Sequence, residues 1–383
     1  MYDVVLTCNY SPWSSYRGGG QKSTHMVATA LAALGKRVCV VYSKGPFERV
    51  PVPPGLPYDV AWAFFFAARP GISSPLRFLN GIPFYFKARA LVRQGGGTAL
   101  VLHGNGDEAS LFGYVRGKRK FVYSHRYPGF ESFMFRTQWG TWKTRLGVFF
   151  REPRFAAFAL ALRGADVVTC TSASSAGQLR ACFQVPDEKI RVIPNGIDPA
   201  FLEAPPPGAD ARGIVYYGRL TRAKGVDTLL NAYAGLPGAT QRLHPLTVIG
   251  DGPYAAELRA LAARLGVEAR WIPWLDSAEL ARAITEHRLA ALPSREESFG
   301  NTMLETLATG QALVTARAGS IPEVVGDQAE LVPPDDPEAL RAAIARALAA
   351  PHDPERAAAR REYVRARFSW ESTARAFLEL YGG

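Results

Sequence analysis

Short apolar runs separated by turn residues recur along the chain, and stretches with apolar side chains at three- and four-residue spacing lie between them. Residues 3–8, 37–42, 59–65, 98–103, 120–124, 166–170 and 189–193 each read as a strand. Val27, Leu31 and Leu34 fall on one helical face, and 76–92 reads as a second helix. A turn, Pro194-Asn195-Gly196-Ile197-Asp198, interrupts the alternation, which then restarts with strands at 214–217, 246–250, 270–272, 289–292 and 331–332. Helices open at Lys224 and cover 337–349, and a last segment runs from Phe368 to Tyr381. Strand and helix in alternation predict parallel sheets covered by helices, the α/β class. A chain of 383 residues is long for one core, so two domains are expected, divided near residue 196.

Composition adds little to that picture, whereas charge adds more. The hydrophobic share of 48% with 21% charged residues is ordinary for a soluble globular protein. Cys8, Cys39, Cys170 and Cys182 form no Cys-x-x-Cys pair, so neither a zinc site nor a disulfide framework is expected, and a reducing cytoplasm fits. The first residues lack the pattern of a signal peptide, and the longest apolar run, 60–68, is too short for a membrane span. Net charge is +11, and residues 112–164 hold eleven Lys or Arg against two Glu. Within 130–163, Trp142, Leu146, Phe149 and Phe150 have helical spacing, with Lys143, Arg145 and Arg151 beside them. Such a stripe is either core or an interfacial helix resting on anionic lipid. No nucleic-acid-binding motif accompanies it, and no such partner is expected.

Candidate chemistry gathers at residues 293–305, between a strand and a helix. Gly300 permits a tight turn, and Asn301 and Thr302 enter the first helical turn, where unpaired N–H groups and the helix dipole favour an anion. Glu297 in the loop and Glu305 in the helix offer acceptors for sugar hydroxyls, although glutamates are also common as solvated residues at helix starts. Arg219 and Lys224 share the loop after strand 214–217 and can neutralise a diphosphate. Near the N-terminus, Gly18, Gly19 and Gly20 enter a helix. The spacing fits neither a P-loop nor a dinucleotide fingerprint, which leaves a flexible turn able to approach a ligand or a plain βα turn. His125, just past strand 120–124, lies on the side of a parallel sheet where ligands gather, and His103 is a second candidate there. A structural role is the alternative for either.

The run Glu297-Ser298-Phe299-Gly300, Glu305, Ala308-Thr309-Gly310 and Gly319-Ser320-Ile321-Pro322-Glu323-Val324-Val325 resembles the signature of the retaining GT-B glycosyltransferases of family 4, the glycogen-synthase-like enzymes. Ser298 stands where Gly is more usual. Gly218-Arg219-Leu220 with Lys224-Gly225, Gly250-Asp251-Gly252-Pro253, the turn 194–198, Phe121–His125 and the glycine turn resemble further family elements, so that nearly the whole chain is covered. The resemblance implies two Rossmann-like domains with parallel sheets facing across a cleft. Residues 1–196 would take the acceptor and 197–366 the nucleotide-sugar donor, with a C-terminal helix, 367–383, packing back on the first domain. It further implies retaining transfer of a sugar from a nucleoside-diphosphate sugar to a glycan or lipid-linked acceptor, with surface polysaccharide or glycolipid synthesis as the expected setting.

In that frame His125 and Glu297 attend the sugar, Arg219 and Lys224 the diphosphate, and Glu305 the nucleotide ribose. Gly18, Gly19, Ser298, Phe299, Gly300, Asn301 and Thr302 complete the donor site. No Asp-x-Asp is present, and neither a metal nor a cofactor is expected. A sugar-nucleotide epimerase of the same shape, or a non-catalytic sugar-nucleotide binder, are the alternatives; products formed from donor alone, or none, distinguish them.

Overall fold

The computed structural model describes residues 2–11, 13, 19–44, 51–64, 79–94, 100–126 and 154–382. Two compact units emerge, one of Met1–Asn195 with Trp370–Gly383 and one of Gly196–Ser369. The basic, aromatic stretch of the sequence falls largely on 127–153, outside the described residues.

In the first unit the strands are β1 (Val4–Cys8), β2 (Val38–Lys44), β3 (Asp59–Phe64), β4 (Val101–Gly104), β5 (Lys120–His125), β6 (Val167–Cys170) and β7 (Ile190–Val192). They lie in the order β3-β2-β1-β4-β5-β6-β7, all parallel. β1 is buried at every position because helices cover both faces of the sheet, which is why it reads as a continuous apolar run. Those helices include α1 (Gly19–Ala33), α2 (Gly81–Gln94), α3 (Arg154–Gly164) and α4 (Ala173–Phe183). The start of α4 is fixed by Ser172, whose side chain accepts from Ser175 N–H at 3.0 Å.

The chain returns to this unit at its end. In the helix Trp370–Tyr381, residues Ala374, Phe377 and Tyr381 are buried in one cluster with Val27 and Leu31 of α1. Thr373 Oγ1 also donates to the Pro194 carbonyl at 2.8 Å.

The second unit repeats the plan. β8 (Ile214–Tyr217), β9 (Leu246–Ile249), β10 (Ala269–Ile272), β11 (Leu289–Leu292), β12 (Leu313–Ala316) and β13 (Glu330–Val332) form a parallel sheet in the order β10-β9-β8-β11-β12-β13. Its helices are α5 (Pro199–Glu203), α6 (Val226–Ala234), α7 (Gly238–Leu243), α8 (Ala255–Arg264), α9 (Ser277–Thr285), α10 (Asn301–Ala308), α11 (Ile321–Val325), α12 (Pro337–Ala349) and α13 (Pro354–Arg367). Strand order reverses between β1 and β4 in one sheet and between β8 and β11 in the other. Such switch points open a crevice at the carboxyl ends of the strands.

Several boundaries differ from the sequence pattern. The helix expected at 76–92 is described from Gly81 to Gln94, after Asn80, whose amide is held by Asp107 at 2.9 Å; residues 65–78 are outside the described set. His103 lies within β4 rather than at its end, and β5 includes His125 as its last residue. α13 has no apolar stripe to announce it: only Ala357 and Val364 are buried, and Asp353 caps its start by accepting from Arg356 N–H at 2.9 Å. Among the described residues no helix is long and apolar enough to cross a membrane.

Candidate active site

In the second unit, the loops after β8 and β11 leave from the switch point and press together. Gly225 adopts φ +66°, and a Cβ there would come within 2.0 Å of the Pro293 carbonyl, so a side chain would force the loops apart. Arg295 fastens them from the other side. Its N–H donates to Ala223 O at 2.8 Å, and its guanidinium takes both oxygens of Asp227 at 2.8 and 2.9 Å, Thr228 Oγ1 at 3.0 Å, and also Asp335 and the Arg222 carbonyl. The Asp227 carboxylate beside it holds the Arg295 pKa above its ordinary value.

This close approach brings Lys224 Nζ to 2.5 Å from Glu297 Oε1, with the Glu297 side chain 7% exposed. The Glu297 carbonyl is itself fixed, accepting from Ser320 N–H and Ser320 Oγ, both at 3.2 Å.

α10 starts four residues further on. Gly300, at φ +90°, is its N-cap, and the first turn carries no acidic residue to offset the positive end of the helix. Asn301 and Thr302, half-buried, form that turn. Tyr217, the last residue of β8, locks it in place: its hydroxyl donates to the Thr302 carbonyl and meets Thr306 Oγ1 at 2.9 Å. Burial, with the Glu305 charge behind it, pushes the Tyr217 phenol far up, so it stays a donor.

Glu305 lies half-buried a little over one turn into α10, and Arg219 is exposed on the loop that follows β8. Phe299 is buried with its ring edge-on to Phe368, centroids 5.9 Å apart, so its side chain anchors the loop and only its backbone is left to face a ligand. Ser298 is half-buried beside it.

Gly19 and His125 belong to the first unit. Gly19 opens α1 and is exposed, while Gly18 lies outside the described residues. His125 closes β5 at 2% exposure, edge-on to Phe183, and burial pushes it down to about 4, which leaves a neutral imidazole at neutral pH. His103 is a structural residue. Its ring nitrogens meet Tyr381 Oη and Ser124 Oγ, each at 2.6 Å, and Ser124 passes the chain on to Thr169 at 2.7 Å. Burial, with Arg126 nearby, pushes His103 down to about 3.

Sequence reasoning missed a buried polar cluster at the carboxyl ends of β1 and β4. Asp107 accepts from Asn9 and Asn80 at 3.0 and 2.9 Å, and Glu108 accepts from Thr7 Oγ1 at 3.0 Å. Burial, then the neighbouring Asp107, pushes Glu108 up to about 7. Asn105-Gly106-Asp107-Glu108 after an apolar strand reads as an ordinary turn, and only the fold puts it inside. Arg295 and Tyr217 were missed for the same reason, since a loop arginine and a strand tyrosine have no signature.

Chemically, the second unit gathers two cations, a helix N-terminus and two carboxylates at one end of its sheet. The cations and amides suit an anion such as a diphosphate, and the carboxylates suit hydroxyl groups.

Two family models match the chain, one described as Glycosyltransferase Family 4 over residues 17–201 and one as Glycosyl transferases group 1 over residues 203–367. A D-inositol 3-phosphate glycosyltransferase of Segniliparus rotundus is 34% identical over 234 residues, covering 56% of this chain and 52% of that protein. The glycogen synthase of Mycobacterium tuberculosis is 34% identical over 226 residues, covering 56% and 53%. The chain thus spans about half the length of the curated relatives it matches. Among solved structures, sucrose-phosphate synthase from Thermosynechococcus elongatus superposes with a TM-score of 0.78 at 24% identity, over 99% of this chain and 98% of that one. This last likeness is one of fold.

Proposed function

The chain belongs to the family 4, group 1 glycosyltransferases of GT-B fold, and from that membership we propose that it moves a sugar from a nucleoside-diphosphate sugar to an acceptor hydroxyl with retention of anomeric configuration. The acceptor is a glycan or a lipid-linked glycan, the setting is surface polysaccharide or glycolipid synthesis, and the first unit receives it. The enzyme works in the cytoplasm, on the inner face of the membrane when the acceptor is lipid-linked.

The observation that carries this reading is the placement of Lys224 and Glu297 in contact, next to the uncompensated N-terminal turn of α10 at a switch point. As the glycosidic bond breaks, negative charge builds on the departing diphosphate. Lys224, Arg219 and the N–H groups of Gly300 to Thr302 meet that charge, and such fixed dipoles and cations give the largest electrostatic stabilisation. These groups supply the positive charge without a metal. Glu297 holds the sugar and Glu305 holds the ribose.

The test is incubation with a panel of nucleoside-diphosphate sugars, with and without glycan and lipid-linked acceptors, and NMR of the product's anomeric centre. Transfer with retention supports the reading, whereas inversion, or conversion of the donor sugar without an acceptor, refutes it.

A further inference from the structure

The donor-binding assignment gives Lys224 to the diphosphate, yet in this structure Lys224 is engaged elsewhere. Its ammonium sits 2.5 Å from Glu297 Oε1, with the two side chains 23% and 7% exposed. A pair this sheltered is not dissolved by solvent, and the N–H that Lys224 gives to Glu297 is a donor that a phosphate cannot take at the same time. The backbone of Glu297 is held at its carbonyl by Ser320.

A second group belongs to the same end of the sheet. Tyr216, on β8, is 1% exposed, and its hydroxyl is buried with no hydrogen-bond partner. Buried polar groups are seldom left so. A Cβ placed on Gly218 would be 3.4 Å from that hydroxyl and 3.9 Å from Thr302 Cγ2, so Tyr216 Oη lies beside the first turn of α10. Glu297 is the charge that acts on it, adding to burial in pushing the phenol up and keeping it a donor.

We propose that the Lys224–Glu297 ion pair is the donor-free arrangement of the site, and that a nucleoside diphosphate draws Lys224 onto its phosphates while Glu297 exchanges that cation for the Tyr216 hydroxyl. Glu297 thereby competes with the donor for Lys224 until the diphosphate is bound. It then becomes available to the sugar, with Tyr216 as its positioning residue. The inference rests on the diphosphate binding at α10.

Calorimetric titration of UDP, GDP and ADP tests it in wild type, Glu297→Gln, Lys224→Met and the double variant. If the pair is closed about nine-tenths of the time, about a tenth of the molecules are competent, and apparent affinity is reduced by that fraction. Glu297→Gln therefore binds the diphosphate about 3- to 10-fold more tightly than wild type, and has no effect in the Lys224→Met background. Tightening in both backgrounds means that Glu297 merely repels the phosphates, which overturns the exchange, as does an unchanged or weaker affinity in Glu297→Gln. Absence of diphosphate binding by wild type overturns the donor site itself along with the exchange. Tyr216→Phe provides the second arm: it keeps the wild-type melting point, because its hydroxyl has no partner at rest, weakens the diphosphate about 3-fold, because the bond to Glu297 forms only when the diphosphate is bound, and lowers kcat about 10-fold. Wild-type kcat in Tyr216→Phe, or a loss of affinity equal to the loss of kcat, removes Tyr216 from the mechanism.

Discussion

Replacing Arg295 by Ala removes the clamp between the two loops that carry Lys224 and Glu297, without removing either residue. Arg295 makes a bidentate pair with Asp227 and further bonds to Thr228, Asp335 and the Arg222 carbonyl, at 23% side-chain exposure. A charge-assisted bond contributes ~1.5–3 kcal/mol when sheltered. Partial exposure and the shared guanidinium reduce the sum well below additivity, so the expected cost is ~2–3 kcal/mol. The second unit, Gly196–Ser369, should show it as a melting point lower by about 4–10 °C. Because the loops then separate, diphosphate affinity should also fall about tenfold, though Arg295 has no role on the ligand. Calorimetry of Arg295→Ala with and without nucleoside diphosphate checks both effects. An unchanged melting point would show that solvent already screens the clamp, and a lower melting point with unchanged affinity would show that loop placement does not depend on it.

Three further outcomes are expected. Between about pH 6.5 and 4.5 the unfolded chain takes up protons at His103 and His125, which stay neutral when folded, while the folded chain takes up one at Glu108, so the first unit loses stability on acidification by a net one proton. Denaturant titrations at stepped pH should show this slope down to about 4.5 and a flattening below about 4, where folded His125 and then His103 also bind protons; Glu108→Gln steepens the slope between about pH 6.5 and 4.5, and a flat profile there contradicts the assignment. Treatment with chelator should leave turnover intact, and a loss restored by magnesium or manganese would mean that the positive charge on the diphosphate is not supplied by Lys224, Arg219 and α10. Wild type should pellet with anionic vesicles at low salt and Lys143→Glu/Arg145→Glu/Arg151→Glu should not, since each basic residue at such a surface contributes ~1 kcal/mol; indifference of wild type to anionic vesicles favours a soluble acceptor.

The fold was legible because parallel strands covered on both faces are unbroken apolar runs. Ile214–Tyr217, Leu289–Leu292 and the helix Pro337–Ala349 appear in the structure with the bounds read from the sequence. α13 was not legible, because its Arg-rich surface buries too little to leave a period. For the candidate site, local signals marked Gly300, Asn301 and Thr302 at a helix start, which is where they lie. What no local pattern carries is the pairing of residues distant in sequence. Lys224 and Glu297 are 73 positions apart, and their contact depends on Gly225 and Arg295 holding two loops together. Tyr217 and His103 likewise read as strand residues, and only the fold turns one toward the first turn of α10 and the other toward Tyr381.

The central claim is that the end of the second sheet bearing Arg219, Lys224 and α10 holds the donor diphosphate. Titration of the preferred nucleoside diphosphate into wild type, Arg219→Ala and Lys224→Ala measures it directly. Each substitution should cost ~1.5–3 kcal/mol, a loss of about 10- to 100-fold in affinity, with the fold retained. Binding of the diphosphate at wild-type affinity by both variants would place the donor elsewhere and contradict the account.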